Sequence, residues 1–294
     1  MNTEKAELFT PAPEWSGRSD GPGPEHARWH SVINQSAGCP APVTRVGFAS
    51  DEGVLRNGGR QGAAAGPAAL RSALGSLAVH HEHALADAGT ITTQADDLDG
   101  SHDALSDKVQ ELVEAGTLPI ILGGGHETAF GSHRGLYRAV GATKIINLDA
   151  HFDLRRADQA TSGTPFKQIS ELSDDFDYTV LGISRPNNTK VLFDEADSLG
   201  VAITLDEELV NLSPAECGER LGADVGAGHV AVEGAQAQRS CEVEDAEDDR
   251  GEQTDEARRG TVAARTRRLG RLHEDRLLRV DRCRRACGGG PAKP

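Results

Sequence analysis

The chain has 294 residues, with 31 Lys+Arg against 46 Asp+Glu and a formal charge of -15. This acidity argues against a general nucleic-acid binder, which needs clustered basic side chains for phosphate, and no stretch approaches the ~20 consecutive apolar residues of a membrane span. Five cysteines (Cys39, Cys217, Cys241, Cys283, Cys287) without a Cys-x-x-Cys pair give neither a zinc site nor a disulfide framework, and the residues after Met1 lack a basic-then-apolar leader pattern, so a soluble cytoplasmic protein without nucleic-acid or membrane partners is expected.

Residues 1–42, rich in Pro, Gly and polar groups and punctuated by Trp15 and Trp29, read as an irregular arm covering the domain. Strand and helix then alternate. Thr44–Ala49 reads as a strand, Ser50–Gly66 as a polar, Gly-rich loop, and Pro67–Leu74 as a helix with Pro in its favoured first turn. A weaker strand spans Ala84–Ile91. Leu105–Ala115 carries helical spacing. The continuous apolar run Leu118–Leu122 predicts a strand buried on both faces of a parallel sheet. A helix over about 127–140, strands at Lys144–Leu148 and Tyr178–Ile183, a helix at Thr189–Leu199 and a short strand at Val201–Thr204 follow. Ser213-Pro214-Ala215-Glu216 supplies an N-cap, a Pro at N1 and a Glu at N3 for one more helix. The alternation through residue 222 predicts an α/β domain with a mostly parallel sheet over 43–222.

The remaining residues, 223–294, read differently. The last aromatic residue is Phe193 and the last Ile is Ile203. Residues 220–294 carry 15 Lys+Arg against 14 Asp+Glu, which leaves -16 on residues 1–219. The tail charges fall in an acidic block, Glu242–Asp249, and a basic one, Arg258–Arg285. Such a segment buries too little apolar surface to offset chain entropy. Two readings account for it: translation of a GC-rich gene out of frame, or a divergent relative with a disordered tail.

In parallel sheets ligands sit beyond the carboxyl ends of the strands, and the unusual polar residues cluster there. Gly123-Gly124-Gly125-His126-Glu127 directly follows the 118–122 strand. It lacks the Lys-Ser/Thr of a P-loop and the GxGxxG spacing of a dinucleotide fold, and by itself it marks only a sharp turn presenting His126. Asp149-Ala150-His151-Phe152-Asp153 follows the 144–148 strand, with two carboxylates and an imidazole at i, i+2 and i+4, on one side of an extended chain. Such a group wants a cation, and its N/O donors suit Mn, Zn or Fe. A charged loop with a helix cap is the plainer alternative; His126 from another strand end favours the metal. Asp51 to Pro67, with Arg56, Asn57 and Arg60, could clamp a carboxylate or stand as a solvated loop. Ser162-Gly163-Thr164-Pro165 could offer hydroxyls or make a turn. His80, His81 and His83 lack a carboxylate partner and read as solvated surface.

With these residues in place, the sequence resembles the ureohydrolase (arginase–agmatinase) superfamily, through Gly124-Gly125-His126 and Asp149-Ala150-His151-Phe152-Asp153. Further stretches narrow the resemblance to the formimidoylglutamases of histidine degradation: Trp15-Ser16-Gly17-Arg18, Arg28-Trp29-His30, Ser50 to Gly53, Arg56 to Ala63, Gly123 to Glu127, Asp149 to Arg155, Ser162 to Phe166 and Leu181 to Ala196. The resemblance covers roughly residues 12–220. It implies a three-layer α/β/α fold, two Mn2+ ions per subunit, a homo-oligomer, and hydrolysis of the small-molecule substrate N-formimidoyl-L-glutamate to L-glutamate and formamide through attack of a metal-bound hydroxide on the amidine carbon. Position by position, it implies that His126 and Asp153 bind one ion, His151 the other, and Asp149 bridges them. Asn57, Arg60, Ser162 and Thr164 are the candidates for the substrate carboxylates, and no general acid is assigned. The family's third signature, Ser-x-Asp-x-Asp-x-x-Asp-Pro, has no match after residue 220. An agmatinase-like hydrolase and a non-catalytic binding relative are the alternatives.

Overall fold

The computed structural model describes residues 8–33, 41–80, 84–225 and 230–234. His81, His83 and the charge blocks between 242 and 285 lie outside them. The described residues hold eight strands: β1 (Phe9–Thr10), β2 (Val43–Ala49), β3 (Leu85–Thr92), β4 (Leu118–Leu122), β5 (Lys144–Leu148), β6 (Tyr178–Ile183), β7 (Ala202–Leu205) and β8 (Val230–Gly234). They form two four-stranded sheets, ordered β1-β3-β2-β4 and β7-β6-β5-β8. Every pairing is parallel except β1 with β3. The helices are α1 (Trp29–Val32), α2 (Glu52–Arg56), α3 (Gly66–Gly75), α4 (Leu98–Glu114), α5 (Thr128–Val140), α6 (Pro165–Ser170), α7 (Lys190–Ser198), α8 (Asp206–Leu209) and α9 (Pro214–Val225). The expected α/β architecture with mostly parallel strands is therefore present.

The arm is bound to the first sheet by polar contacts as well as burial. The Trp15 indole N–H donates to Asp87 Oδ2 at 2.8 Å, and Arg71 grips the same carboxylate at 2.7 and 2.9 Å while also reaching Thr90 and the Gly89 carbonyl. Trp29 lies beneath the Arg45 guanidinium, 4.1 Å from ring centroid to the carbon. A buried ion pair needs this many bonds to offset its desolvation. Helices α4 and α5 approach closely, because a Cβ on Gly131 or Gly135 would meet α4, and the buried Ser106 hydroxyl donates to the Gly131 carbonyl at 2.8 Å. This contact fixes α5, and with it the turn at its start.

Under the second sheet, Phe152, Phe166 and Tyr178 are fully buried, Phe166 stacked on Tyr178 at 4.4 Å. The start of α9 has the expected cap, with the Ser213 N–H bonded to Glu216 Oε2 at 2.7 Å.

The 118–122 strand corrects one expectation. It is not buried on both faces: β4 pairs only with β2 among the described residues, and Leu118 and Ile120 are 60% and 40% exposed. Leu118 and Ile120 share one face of the strand, and among the described residues that face stays open while Leu122 at the strand end is buried. The pairing of β8 with β5 carries the second sheet past residue 222, to Gly234 opposite Leu148. No helix among the described residues is long and apolar enough to cross a membrane.

Candidate metal centre

The two sheets bring the ends of β4 and β5 together. Beyond β4 the chain still bonds to β2 and the residue that follows it, the Gly124 N–H to the Phe48 carbonyl and the Gly125 N–H to the Ser50 carbonyl, both at 2.9 Å. A Cβ on Gly124 would collide with the backbone of Phe48 and Ser50, so only glycine allows this approach. The turn delivers His126 just ahead of α5.

After β5, Asp149 sits at the strand end with Oδ1 accepting the His151 N–H at 3.0 Å. Asp153 takes the left-handed conformation, φ 48°, unusual for a residue with a side chain. Its neighbours hold it there: the Phe152 N–H donates to Asn188 Oδ1 at 3.2 Å, the Tyr178 hydroxyl to the Phe152 carbonyl at 3.2 Å, and the Phe166 N–H to the Asp153 carbonyl at 3.2 Å. The Asn188 amide also donates to the Ala150 carbonyl at 2.7 Å, so this side chain grips the loop on both sides of His151.

The outcome is one convergent group. His126 Nδ1 lies 2.7 Å from Asp153 Oδ2 and 3.0 Å from Asp149 Oδ2. His126, Asp149 and Asp153 offer donor atoms all within 4.8 Å of one another, a spread one cation could bridge. His151 stands beside them, half-exposed, with Nδ1 3.4 Å from Asp149 Oδ1. Burial alone would lower the His126 pKa, but hydrogen bonds and charge from Asp149 and Asp153 override it and raise the imidazole to about 10. Burial pulls Asp149 upward, yet His126 and His151 hold its carboxyl well below the usual range. Asp149 in turn raises His151. Two carboxylates this close demand a positive charge, which the imidazolium supplies here and which a cation would supply once His126 gives up its Nδ1 proton. One nitrogen and two oxygen donors, largely buried and close to one point, suit a first-row divalent cation.

The carboxylate-binding candidates part company. Asn57 and Ser162 meet, the amide donating to the hydroxyl at 3.1 Å. Arg155 joins them by donating to Asn57 Oδ1 at 3.2 Å. Arg60 stands exposed further along the same loop. Thr164 is buried, its hydroxyl bonded to the Thr161 carbonyl at 3.0 Å and Gln168 Oε1 at 2.9 Å, so it shapes the turn before α6. Arg56 is occupied by Glu52 and the carbonyls of Ala160 and Asp96. Sequence reasoning passed over Arg155, although the two-residue step linking Asp149, His151 and Asp153 reaches it one step further. His80 is exposed.

Comparison with known proteins places the chain in a family. An arginase-family model matches residues 41–232. The formimidoylglutamase of Corynebacterium efficiens is 51% identical over 213 residues, 70% of this chain and 67% of that protein. That of Nocardia farcinica is 48% identical over 206 residues, 67% of this chain and 66% of that protein. Among solved structures, Trypanosoma cruzi formiminoglutamase with Mn2+ superposes with a TM-score of 0.57 at 28% identity, over 65% of this chain and 68% of that one. Bacillus subtilis formimidoylglutamase shares the fold, with a TM-score of 0.62 at 19% identity over 69% and 68% of the two chains. The chain spans about two thirds of the length of the curated relatives it matches. Since the family match takes in every residue of the convergent group, this chain belongs to the arginase family.

Proposed function

We propose that the protein hydrolyses N-formimidoyl-L-glutamate to L-glutamate and formamide, with manganese as its cofactor. The observation that carries this reading is the convergence of His126, Asp149 and Asp153 beside a loop pair bearing Asn57, Ser162 and Arg155. His126, Asp149 and Asp153 would hold one ion, and His151 with Asp149 would begin the set for a second. When bound, such ions supply Lewis acidity that makes hydroxide available near neutral pH. The chain's own residues do the rest. The carboxylates of Asp149 and Asp153 balance the cationic charge. Arg155, Asn57 and Ser162 present a guanidinium, an amide and a hydroxyl to the glutamate carboxylates, a match of charge and hydrogen bonding. Arg155 lies two residues beyond Asp153, so a substrate anchored there keeps its amidine carbon near the convergent group. Addition of water to that carbon and protonation of the glutamate nitrogen release L-glutamate and formamide.

The test is release of formamide by the full chain after loading with Mn2+, with N-formimidoyl-L-glutamate and agmatine compared as substrates. Turnover of the first and not the second supports the reading; turnover of agmatine alone, or of neither, overturns it. A second reading, cation and glutamate binding without turnover, draws on the lack of a Ser-x-Asp-x-Asp-x-x-Asp-Pro segment after residue 220. Saturable L-glutamate binding in an inert, Mn2+-loaded chain would support it.

A further inference from the structure

We propose that Glu127 is a positioning residue: its buried carboxylate clips the segment 50–57 to the turn bearing His126, and so sets where Asn57, Ser162 and Arg155 stand relative to the metal ligands. Glu127 directly follows His126 and is 1% exposed. Its Oε1 accepts the Gly53 N–H at 3.0 Å and the Ser50 hydroxyl at 3.2 Å. The fit is close on two sides, because a Cβ on Gly53 or Gly125 would run into this carboxyl group. A carboxyl group is costly to bury, and besides its own backbone N–H the bonds that Glu127 receives there come from Ser50 and Gly53. Its second oxygen, Oε2, is buried with no hydrogen-bond partner among the described residues.

From Gly53 the connection runs outward. The Gly53 carbonyl accepts the Ser162 N–H at 2.9 Å and the Asn57 N–H at 3.1 Å. Asn57 then bonds the Ser162 hydroxyl and receives Arg155. One carboxylate thus stands at the root of a continuous hydrogen-bonded path, from the residue next to a metal ligand to the three groups assigned to the substrate carboxylates.

This inference rests on the proposed function, and calorimetric titration of the full chain separates the two. Mn2+ is titrated first, then L-glutamate into the Mn2+-loaded protein. Glu127→Ala is expected to keep Mn2+ affinity within about 3-fold while L-glutamate affinity falls about 10-fold or more, the effect of one or two lost hydrogen bonds. Glu127→Gln keeps an acceptor oxygen for Gly53 and Ser50, and is expected to restore L-glutamate affinity to within about 3-fold of wild type. Ser50→Ala removes one donor and should fall between them; it carries the test if circular dichroism shows Glu127→Ala unfolded. Unchanged L-glutamate binding in Glu127→Ala, or in Ser50→Ala where it stands in, a parallel loss of both ligands, or no rescue by Gln overturns the inference alone. A wild-type chain that binds Mn2+ but no L-glutamate overturns the proposed function and this inference with it.

Discussion

His102 should make the fold sensitive to acid. Its ring is fully buried on α4, stacked on Phe48 at 5.9 Å and edge-on to Phe130 at 5.3 Å, and neither ring nitrogen has a hydrogen-bond partner among the described residues. Burial, aided by the nearby Arg134 and opposed by the Glu127 backbone carbonyl and Asp103, lowers its pKa from 6.5 to about 4. A histidine whose folded-state pKa lies below its unfolded value binds fewer protons when folded, so stability falls as pH drops below 6.5 and the loss levels off below about 4. At about 1.4 kcal/mol per pH unit, the gap amounts to about 3 kcal/mol by pH 4, a large part of the roughly 5–15 kcal/mol that holds a domain folded. Carboxylates also take up protons in this range, so the variant His102→Phe is the control: it keeps the stack and removes the titration. Urea unfolding of both proteins at half-unit steps from pH 7.5 to 4 should show their stabilities diverging below pH 6.5, with the variant ahead by about 3 kcal/mol at pH 4. Parallel curves would refute the reasoning.

Other expectations follow from single contacts. Gly124→Ala should push the turn off β2 and weaken Mn2+ binding by about 10-fold or more, comparable to loss of a group that orients a ligand; calorimetry reads it, and unchanged affinity would show that the turn yields freely. Trp15→Phe removes the indole bond to Asp87 and should cost about 2 kcal/mol in urea unfolding, whereas a variant as stable as wild type would mean the arm is held by burial alone. Arg155→Ala should lower L-glutamate affinity by roughly 10- to 100-fold with Mn2+ binding unchanged, and an equal loss of both ligands would place Arg155 in the structure of the loop instead.

Much of this fold is legible in sequence where short-range pattern decides it. The strands ending at Ala49, Leu122, Leu148 and Ile183 are apolar runs stopped by turn residues, and their α/β alternation holds. Helix α2 was hidden because its five residues sit in a Gly-rich stretch, and α6 because its six residues are too few for a period. The openness of Leu118 and Ile120 was not legible, since an apolar run reports what a strand could bury and not which neighbour covers it. In the metal group, His126, Asp149 and Asp153 announced themselves by position at strand ends. Glu127 did not: its role depends on Ser50 and Gly53, more than seventy residues earlier in the chain. For Thr164 the sequence reads both ways, because a hydroxyl in a turn motif serves its own backbone as readily as a ligand.

The proposed function stands or falls with a cation held by His126, Asp149 and Asp153. Crystals of the full chain grown with Mn2+ and measured at the manganese absorption edge test it most directly. The expected result is an anomalous peak about 2.2 Å from His126 Nδ1 and from one oxygen of each carboxylate. A Mn2+-saturated crystal with its anomalous peaks elsewhere, and the imidazole still seated between the two aspartates, would contradict it.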